Sequence, residues 1–211
     1  YSLLQKMPDV RKAAFLENGY ITFGCFNNFA KLTDSVLELW LKILHKVPYS
    51  RLLLKHRLFD HEEGRRFAKM RLMALGFSLT RVDFQGYTAD YLTDYGKVDI
   101  ALDTYPYTGG LTTFEALYMG VPVISLYGKR HGTRFGYSIL QNAGIGELAA
   151  STGSDYVADA VALAEDQDLL KLLHENLRSM LQNSFLMDDV QYTKDVEQMY
   201  QKLWIAAKEN Q

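Results

Sequence analysis

The residues best suited to chemistry lie between Asp99 and Leu117. An apolar run, Ile100-Ala101-Leu102, leads through Asp103 and a turn containing Gly109-Gly110 into Leu111-Thr112-Thr113-Phe114-Glu115-Ala116-Leu117. It reads as a buried strand, a Gly-Gly turn and the first turns of a helix. Small residues at such a turn let a ligand approach the backbone. The N–H groups of a helix start attract phosphate, and the helix dipole adds to the attraction. Glu115 follows one turn later, where a carboxylate can accept hydrogen bonds from ribose hydroxyls. Gly109, Gly110, Leu111, Thr112, Thr113 and Glu115 are therefore the first candidates to bind a substrate, and the substrate they suggest is a nucleotide-sugar. Without a ligand, the same segment is an ordinary strand–turn–helix with glycines for tight geometry.

Other candidates come from neighbouring turns. Lys31 follows the first predicted strand and can neutralise a diphosphate, both in the bound donor and in the departing leaving group. A solvated surface lysine is its other reading. Lys55 and His56 end the second predicted strand and carry the same argument with less weight. Tyr91 follows the third, where its ring can either stack on a base or pack into the core. Lys129-Arg130-His131-Gly132-Thr133-Arg134 is a basic cluster at a helix start. Cations are unfavourable there unless an anion joins them, which favours a phosphate contact, above all by Arg134. Asp99 and Asp103 bracket the fourth strand and read as structural, with Asp103 bracing the Gly-Gly turn.

The elements that must position these residues alternate in type. Strands are expected at 20–26, 51–55, 81–84, 98–102 and 121–126. Helices are expected at 34–47, 61–75, 112–119, 132–142, 154–165, 167–182 and 189–207, with a short one at 89–95. Asp34 is expected to cap the first long helix, whose Leu37, Trp40, Leu41 and Leu44 recur at i, i+3, i+4 and i+7. Several strands are continuous apolar runs, as in a parallel sheet covered on both faces. The fold class that follows is α/β, a doubly wound, mostly parallel, Rossmann-like sheet. In such sheets ligands bind at the carboxyl ends of the strands, where the loops at 27–31, 55–60, 85–91, 104–113 and 127–134 lie. Residues 1–19 read as a partial lead-in and 20–211 as one nucleotide-sugar-binding domain. The last helix carries Tyr192, Val196, Met199, Tyr200, Leu203 and Trp204 as an apolar stripe. Core packing is the first expectation for that stripe, docking onto a partner the second.

Bulk properties narrow the function. The 211 residues carry a net charge of −2, which argues against nucleic acid and against an anionic membrane surface. No apolar run is long enough to span a bilayer. Cys25 is the single cysteine, so an intrachain disulfide is impossible and a reducing compartment fits. The five histidines lack metal-ligand spacing. No G-x-G-x-x-G follows the first strand, which weakens a dinucleotide dehydrogenase reading.

Taken together, these residues resemble a known family. The segment from Leu102 to Leu117 resembles the nucleotide-sugar loop of the O-linked N-acetylglucosamine transferase and SPINDLY family. Phe23 to Lys31 is similar to that family's F-x-x-F-N-x-x-x-K segment, and Val47 to Leu54 to its V-P-x-S-x-L-x-L run. Met119 to Val123 and Gln191 to Trp204 resemble two further segments of the same family. The resemblance covers about residues 20–205. It implies the carboxy-terminal, donor-binding lobe of a GT-B protein O-glycosyltransferase, a bacterial-type and cytoplasmic member. Such a lobe holds UDP-N-acetylglucosamine or a related donor as co-substrate and needs no metal or other cofactor. By position, Lys31 falls on the family's diphosphate-contacting lysine, the one catalytic candidate here. Gly110, Leu111 and Thr112 fall on the phosphate loop. Glu115 falls on a ribose contact that is Asp in the animal enzymes, Tyr91 on a His beside the uracil, and Asn28 on a Gln position. Gly110 replaces a loop His. SPINDLY relatives use a GDP-linked sugar, so UDP and GDP both stay open. The resemblance places acceptor binding and the catalytic His in an amino-terminal lobe and tetratricopeptide repeats. The chain is thus expected to be an excised lobe with no meaningful transferase activity by itself. A UDP-sugar epimerase of the same fold and a non-catalytic interaction module are the rival readings.

Overall fold

The computed structural model describes residues 7–209. The first six residues of the expected lead-in lie outside them. Six strands form one sheet: β1 (Thr22–Cys25), β2 (Arg51–Lys55), β3 (Val82–Gln85), β4 (Ile100–Leu102), β5 (Val123–Leu126) and β6 (Ala149–Ala150). Their order is β3-β2-β1-β4-β5-β6. Every neighbouring pair is parallel, with Phe23 beside both Leu52 and Ile100 in the register. The chain steps outward from β1 to β3, then returns to the other side of β1. This is the doubly wound order, and its switch point lies at the carboxyl ends of β1 and β4. The sixth strand was not expected, because two alanines carry no period for a pattern to reveal.

Eight α-helices are present among the described residues: α1 (Phe15–Asn18), α2 (Asp34–Lys46), α3 (Glu62–Ala74), α4 (Leu111–Tyr118), α5 (Phe135–Asn142), α6 (Gly153–Glu165), α7 (Gln167–Gln182) and α8 (Asp189–Glu209). Thr33, rather than Asp34, caps α2, its hydroxyl accepting from the Val36 N–H. Asp34 instead binds Arg71 of α3. The helix expected over 132–142 is broken, a 3-10 turn at His131–Thr133 preceding α5. Gly76 and Gly120 follow α3 and α4 with positive φ, as glycines after helices commonly do.

Two apolar layers sandwich the sheet. Leu52 and Leu54 point into one, with Trp40 of α2 and Tyr156 of α6. Leu53 points into the other, with Phe114 and Leu117 of α4, Leu140 of α5 and Leu177 of α7. Alternation along β2 is thus apolar on both faces, which is why the sequence shows a run rather than a period of two. A polar relay crosses the first layer. The Trp40 indole donates to the Tyr156 hydroxyl (2.9 Å), which donates to the Asp103 carbonyl (3.0 Å). The relay pins the end of β4, where the candidate turn begins. At the other end of β4, Asp99 accepts from the backbone N–H groups of Thr22 and Phe15. Burial pushes its carboxyl up to about 6.

The expectation that α8 packs into the core is overturned. None of its described residues is buried, and Tyr200 and Trp204 are 64% and 65% exposed. The helix meets the rest of the domain at the turn Phe185–Met187. A stripe of period 3.6 marks a face suited to burial and does not say which body buries it. No helix among the described residues is long and apolar enough to cross a membrane.

Candidate functional site

The turn between β4 and α4 is built around one buried carboxylate. Asp103 Oδ1 accepts from the N–H groups of Gly109 (2.6 Å) and Thr104 (2.8 Å), and Oδ2 accepts from the Ser125 hydroxyl of β5 (2.7 Å). The expected brace of the Gly-Gly turn is present. Burial pushes this carboxyl up to about 6, although the Ser125, Gly109 and Thr104 donors pull the other way. The two glycines differ in what they allow. A Cβ on Gly109 would lie 2.5 Å from Thr113 Oγ1 and 3.0 Å from Asp103 Oδ1, so the packing itself excludes a side chain. A Cβ on Gly110 would meet nothing within 4 Å. The space above Gly110 is open to a ligand. No side chain caps α4, so its first N–H groups face that space unclaimed by a capping residue.

Lys31 lies on the β1 side of the same opening. Its ammonium donates to Asn27 Oδ1 and to the Thr108 carbonyl, both at 3.3 Å, and sits 4.0 Å from the centre of the Tyr107 ring. No carboxylate pairs with it among the described ion pairs. Asn27 Oδ1 also accepts from the Thr112 hydroxyl (3.0 Å). Asn27 therefore joins the lysine loop to the start of α4, a role the sequence reading did not assign. That reading singled out Asn28, whose side chain is exposed and caps the 3-10 turn Phe29–Lys31 by accepting from Ala30 N–H. No sequence signal separates Asn27 from Asn28: all four residues of β1 are buried, so strand alternation marks no inward phase, and both asparagines lie beyond the end of the strand.

Beyond α4, Glu115 is 5% exposed and accepts a hydrogen bond from the Tyr91 hydroxyl. Burial raises its carboxyl, and the Tyr91 donor lowers it. Tyr91 opens a 3-10 segment, Tyr91–Lys97, whose Tyr95 hydroxyl donates to the Thr112 carbonyl (3.1 Å).

Other sequence candidates sit differently. Thr113 is 2% exposed, and its hydroxyl has no hydrogen-bond partner; its side chain faces inward rather than into the opening. Leu111 is exposed at the start of α4 and, with Gly110, Phe114, Ile139 and Tyr192, lines a cavity of about 740 Å³. Arg134 is exposed at the start of α5, its guanidinium 5.2 Å from the Tyr137 ring centre. Lys55 presents no ammonium to a ligand. It is buried, with Nζ on Asp94 Oδ2, the Gly86 carbonyl and Thr88 Oγ1, each at 2.8 Å. Burial pushes the Asp94 carboxyl up, but donors from Lys55, Lys97 and Thr88 outweigh it and hold it well below the usual carboxylate range.

That knot fixes the segment carrying Tyr91. Lys55→Met is expected to cost about 3 kcal/mol in urea unfolding, because it removes the buried cation from Asp94 Oδ2 and leaves that carboxylate to Lys97 and Thr88. In the parent, the knot's contribution is present above the unfolded aspartate pKa of about 4 and is lost as the pH falls below it. A variant with parental stability would show that the pair does not anchor the loop.

Cys25 is buried and its thiol is pushed up to about 12, chiefly by burial, so it is no thiolate nucleophile at neutral pH. Among the described residues no group of three His, Cys, Asp or Glu side chains could hold a metal.

Comparison with known proteins gives the same direction. Residues 6–196 match Glycosyl transferase family 41. The chain is 39% identical over 195 residues to a tomato (Solanum lycopersicum) protein described as a probable UDP-N-acetylglucosamine–peptide N-acetylglucosaminyltransferase SPINDLY, covering 91% of this chain and 21% of that protein. It is 30% identical over 192 residues to the Caenorhabditis elegans UDP-N-acetylglucosamine–peptide N-acetylglucosaminyltransferase, covering 90% of this chain and 16% of that one. A solved mutant O-GlcNAc transferase of Thermobaculum terrenum superposes with a TM-score of 0.86 at 33% identity, over 96% of this chain and 39% of that one. Anabaena HepE in complex with UDP and glucose shares the fold, with a TM-score of 0.62 at 15% identity, over 87% of this chain and 51% of that one. The chain spans about a fifth of the length of the tomato relative.

Proposed function

Because the chain belongs to glycosyl transferase family 41, we propose that it is the donor-binding lobe of a protein O-glycosyltransferase. The parent enzyme would move N-acetylglucosamine, or a related sugar, from a UDP-sugar to a Ser or Thr hydroxyl of a protein. The observation that carries this reading is the convergence of three groups at the β1/β4 switch point. These are the Lys31 ammonium, the open α4 start above Gly110, and the Glu115 carboxylate one turn along.

The division of labour follows from their chemistry. The diphosphate takes the N–H groups of Leu111 and Thr112 at the helix start, with Lys31 beside it. The ribose takes Glu115, and the Tyr91 ring is near enough to flank the base. Displacement at the anomeric carbon drives negative charge onto the departing diphosphate, and Lys31 and the helix dipole meet that charge where it develops. In this reading protein cations neutralise the diphosphate, no metal is required, and the donor is a co-substrate. The acceptor protein is held by parts of a longer parent, and the enzyme works in the cytoplasm, where a lone buried thiol such as Cys25 is at home.

Calorimetric titration of this chain with UDP, GDP and UDP-N-acetylglucosamine tests the donor site. UDP is expected to bind, and the Lys31→Ala, Glu115→Ala double variant to lose at least tenfold in affinity. Equal binding by parent and variant would remove these residues from the site.

A further inference from the structure

Glu115 is an unusual ribose acceptor, because one of its oxygens is already taken. The Tyr91 hydroxyl donates to Oε1, and no protein donor reaches Oε2 among the described residues. Tyr91 is itself held firmly. Its segment is tied to β2 through the Lys55–Asp94 pair and braced internally by Lys97 on Asp94, and Tyr95 reaches across to the carbonyl of Thr112 in α4. The donor and acceptor thus sit on two elements locked to one another. A glutamate has three side-chain torsions, and an unrestrained one must be ordered when a ligand arrives. Here that ordering is done before binding.

We propose that Tyr91 is a positioning residue whose hydroxyl holds one oxygen of Glu115, so that the other is presented to a ribose hydroxyl and selects ribonucleoside diphosphates over their deoxy forms. The inference rests on the donor-site reading above and deepens it. It separates two roles of one side chain: the ring flanks the base in the donor-site reading, while the hydroxyl acts through Glu115. The tyrosine's acidic partner also explains why a phenol serves at this place. A phenol carries the hydrogen-bond donor that an ionised carboxylate, itself only an acceptor, requires.

Tyr91→Phe keeps the ring and removes the hydroxyl, so it isolates the second role. The experiment measures Kd for UDP and for 2′,3′-dideoxy-UDP, with the guanosine pair in parallel, on the parent chain and the variant. The parent is expected to prefer the ribonucleotide by about thirtyfold. In Tyr91→Phe that preference is expected to fall about tenfold, through weaker ribonucleotide binding, with the dideoxy affinity unchanged. Glu115→Gln, which keeps the side-chain shape, is expected to lose the preference as well. An unchanged preference in Tyr91→Phe overturns the inference and leaves the donor site standing. So does an equal loss for both nucleotides, which marks the hydroxyl as packing alone. Failure of the parent chain to bind any of the four nucleotides overturns the donor reading, and this inference with it.

Discussion

Lys31→Ala, introduced into the full-length protein that carries this lobe, is expected to lower turnover about 100- to 1000-fold while leaving the fold intact. The size is that of one preorganised charge facing a developing negative charge in a site shielded from water. The structure explains why the side chain is available for this. It is half-buried and makes two long hydrogen bonds, to Asn27 Oδ1 and the Thr108 carbonyl, and it rests on the Tyr107 ring. These neutral contacts aim the ammonium without cancelling its charge. Ground-state affinity for the donor is expected to fall less than turnover does, since the charge on the leaving diphosphate is greatest as the sugar bond breaks. Lys31→Arg is expected to recover only part of the rate, because a planar guanidinium does not fit the Asn27–Thr108 cradle as a compact ammonium does. Turnover near the parental value in Lys31→Ala would refute the assigned role.

The second large effect is expected at Asp103, which touches no ligand in the proposed reading. Asp103→Ala removes three hydrogen bonds at once and leaves the Gly109 N–H and the Ser125 hydroxyl buried without their acceptor. Each such group costs about 1–3 kcal/mol, so the variant is expected to lose about 3 kcal/mol or more in chemical unfolding. It is also expected to lose nucleotide binding, since the turn above α4 is no longer held. Asp103→Asn gives the opposite outcome. Its Oδ1 can accept from Gly109 and Thr104, and its amide can donate to Ser125 Oγ.

The pH dependence separates the two substitutions further. Burial raises the Asp103 carboxyl in the fold to about 6, above its unfolded value of about 4. The folded state therefore binds the extra proton, and Asp103 lowers the parent's stability as the pH rises from about 4 to about 6. An asparagine does not titrate. The stability of Asp103→Asn relative to the parent is thus expected to rise over that window and then level off. A relative stability that stays flat from pH 4 to 7 would show that the buried carboxyl is not shifted.

Much of this protein was legible in its sequence, and the illegible parts share a cause. Apolar runs of four to six residues between helical periods were enough to predict a parallel, doubly wound sheet. Such runs arise only where both faces of a strand are covered. The Gly109-Gly110 turn, the carboxylate one helical turn on, and the lysine after β1 were legible because each depends on local spacing. Asp103 as the brace of the turn was legible for the same reason, its partner Gly109 lying six residues away.

Tertiary structure decided the rest. Sequence spacing alone did not separate Asn27 from Asn28, since the choice turns on which one faces Lys31 and Thr112 across the gap between β1 and α4. Lys55 looked like a second phosphate cation until the fold put Asp94, 39 residues on, against its ammonium. Tyr91 was read for its ring, yet its hydroxyl meets a carboxylate on another element. The α8 stripe was legible as a face, while its exposure depended on what the chain packs against it. By itself the sequence determined the kind of sheet, the end at which its loops gather, and the Gly-Gly turn that leads into α4, because periodicity and turn chemistry act between neighbours along the chain. Which polar side chains face the opening and which are spent on one another was decided only by folding, because those pairings join residues that only the sheet brings within hydrogen-bond distance.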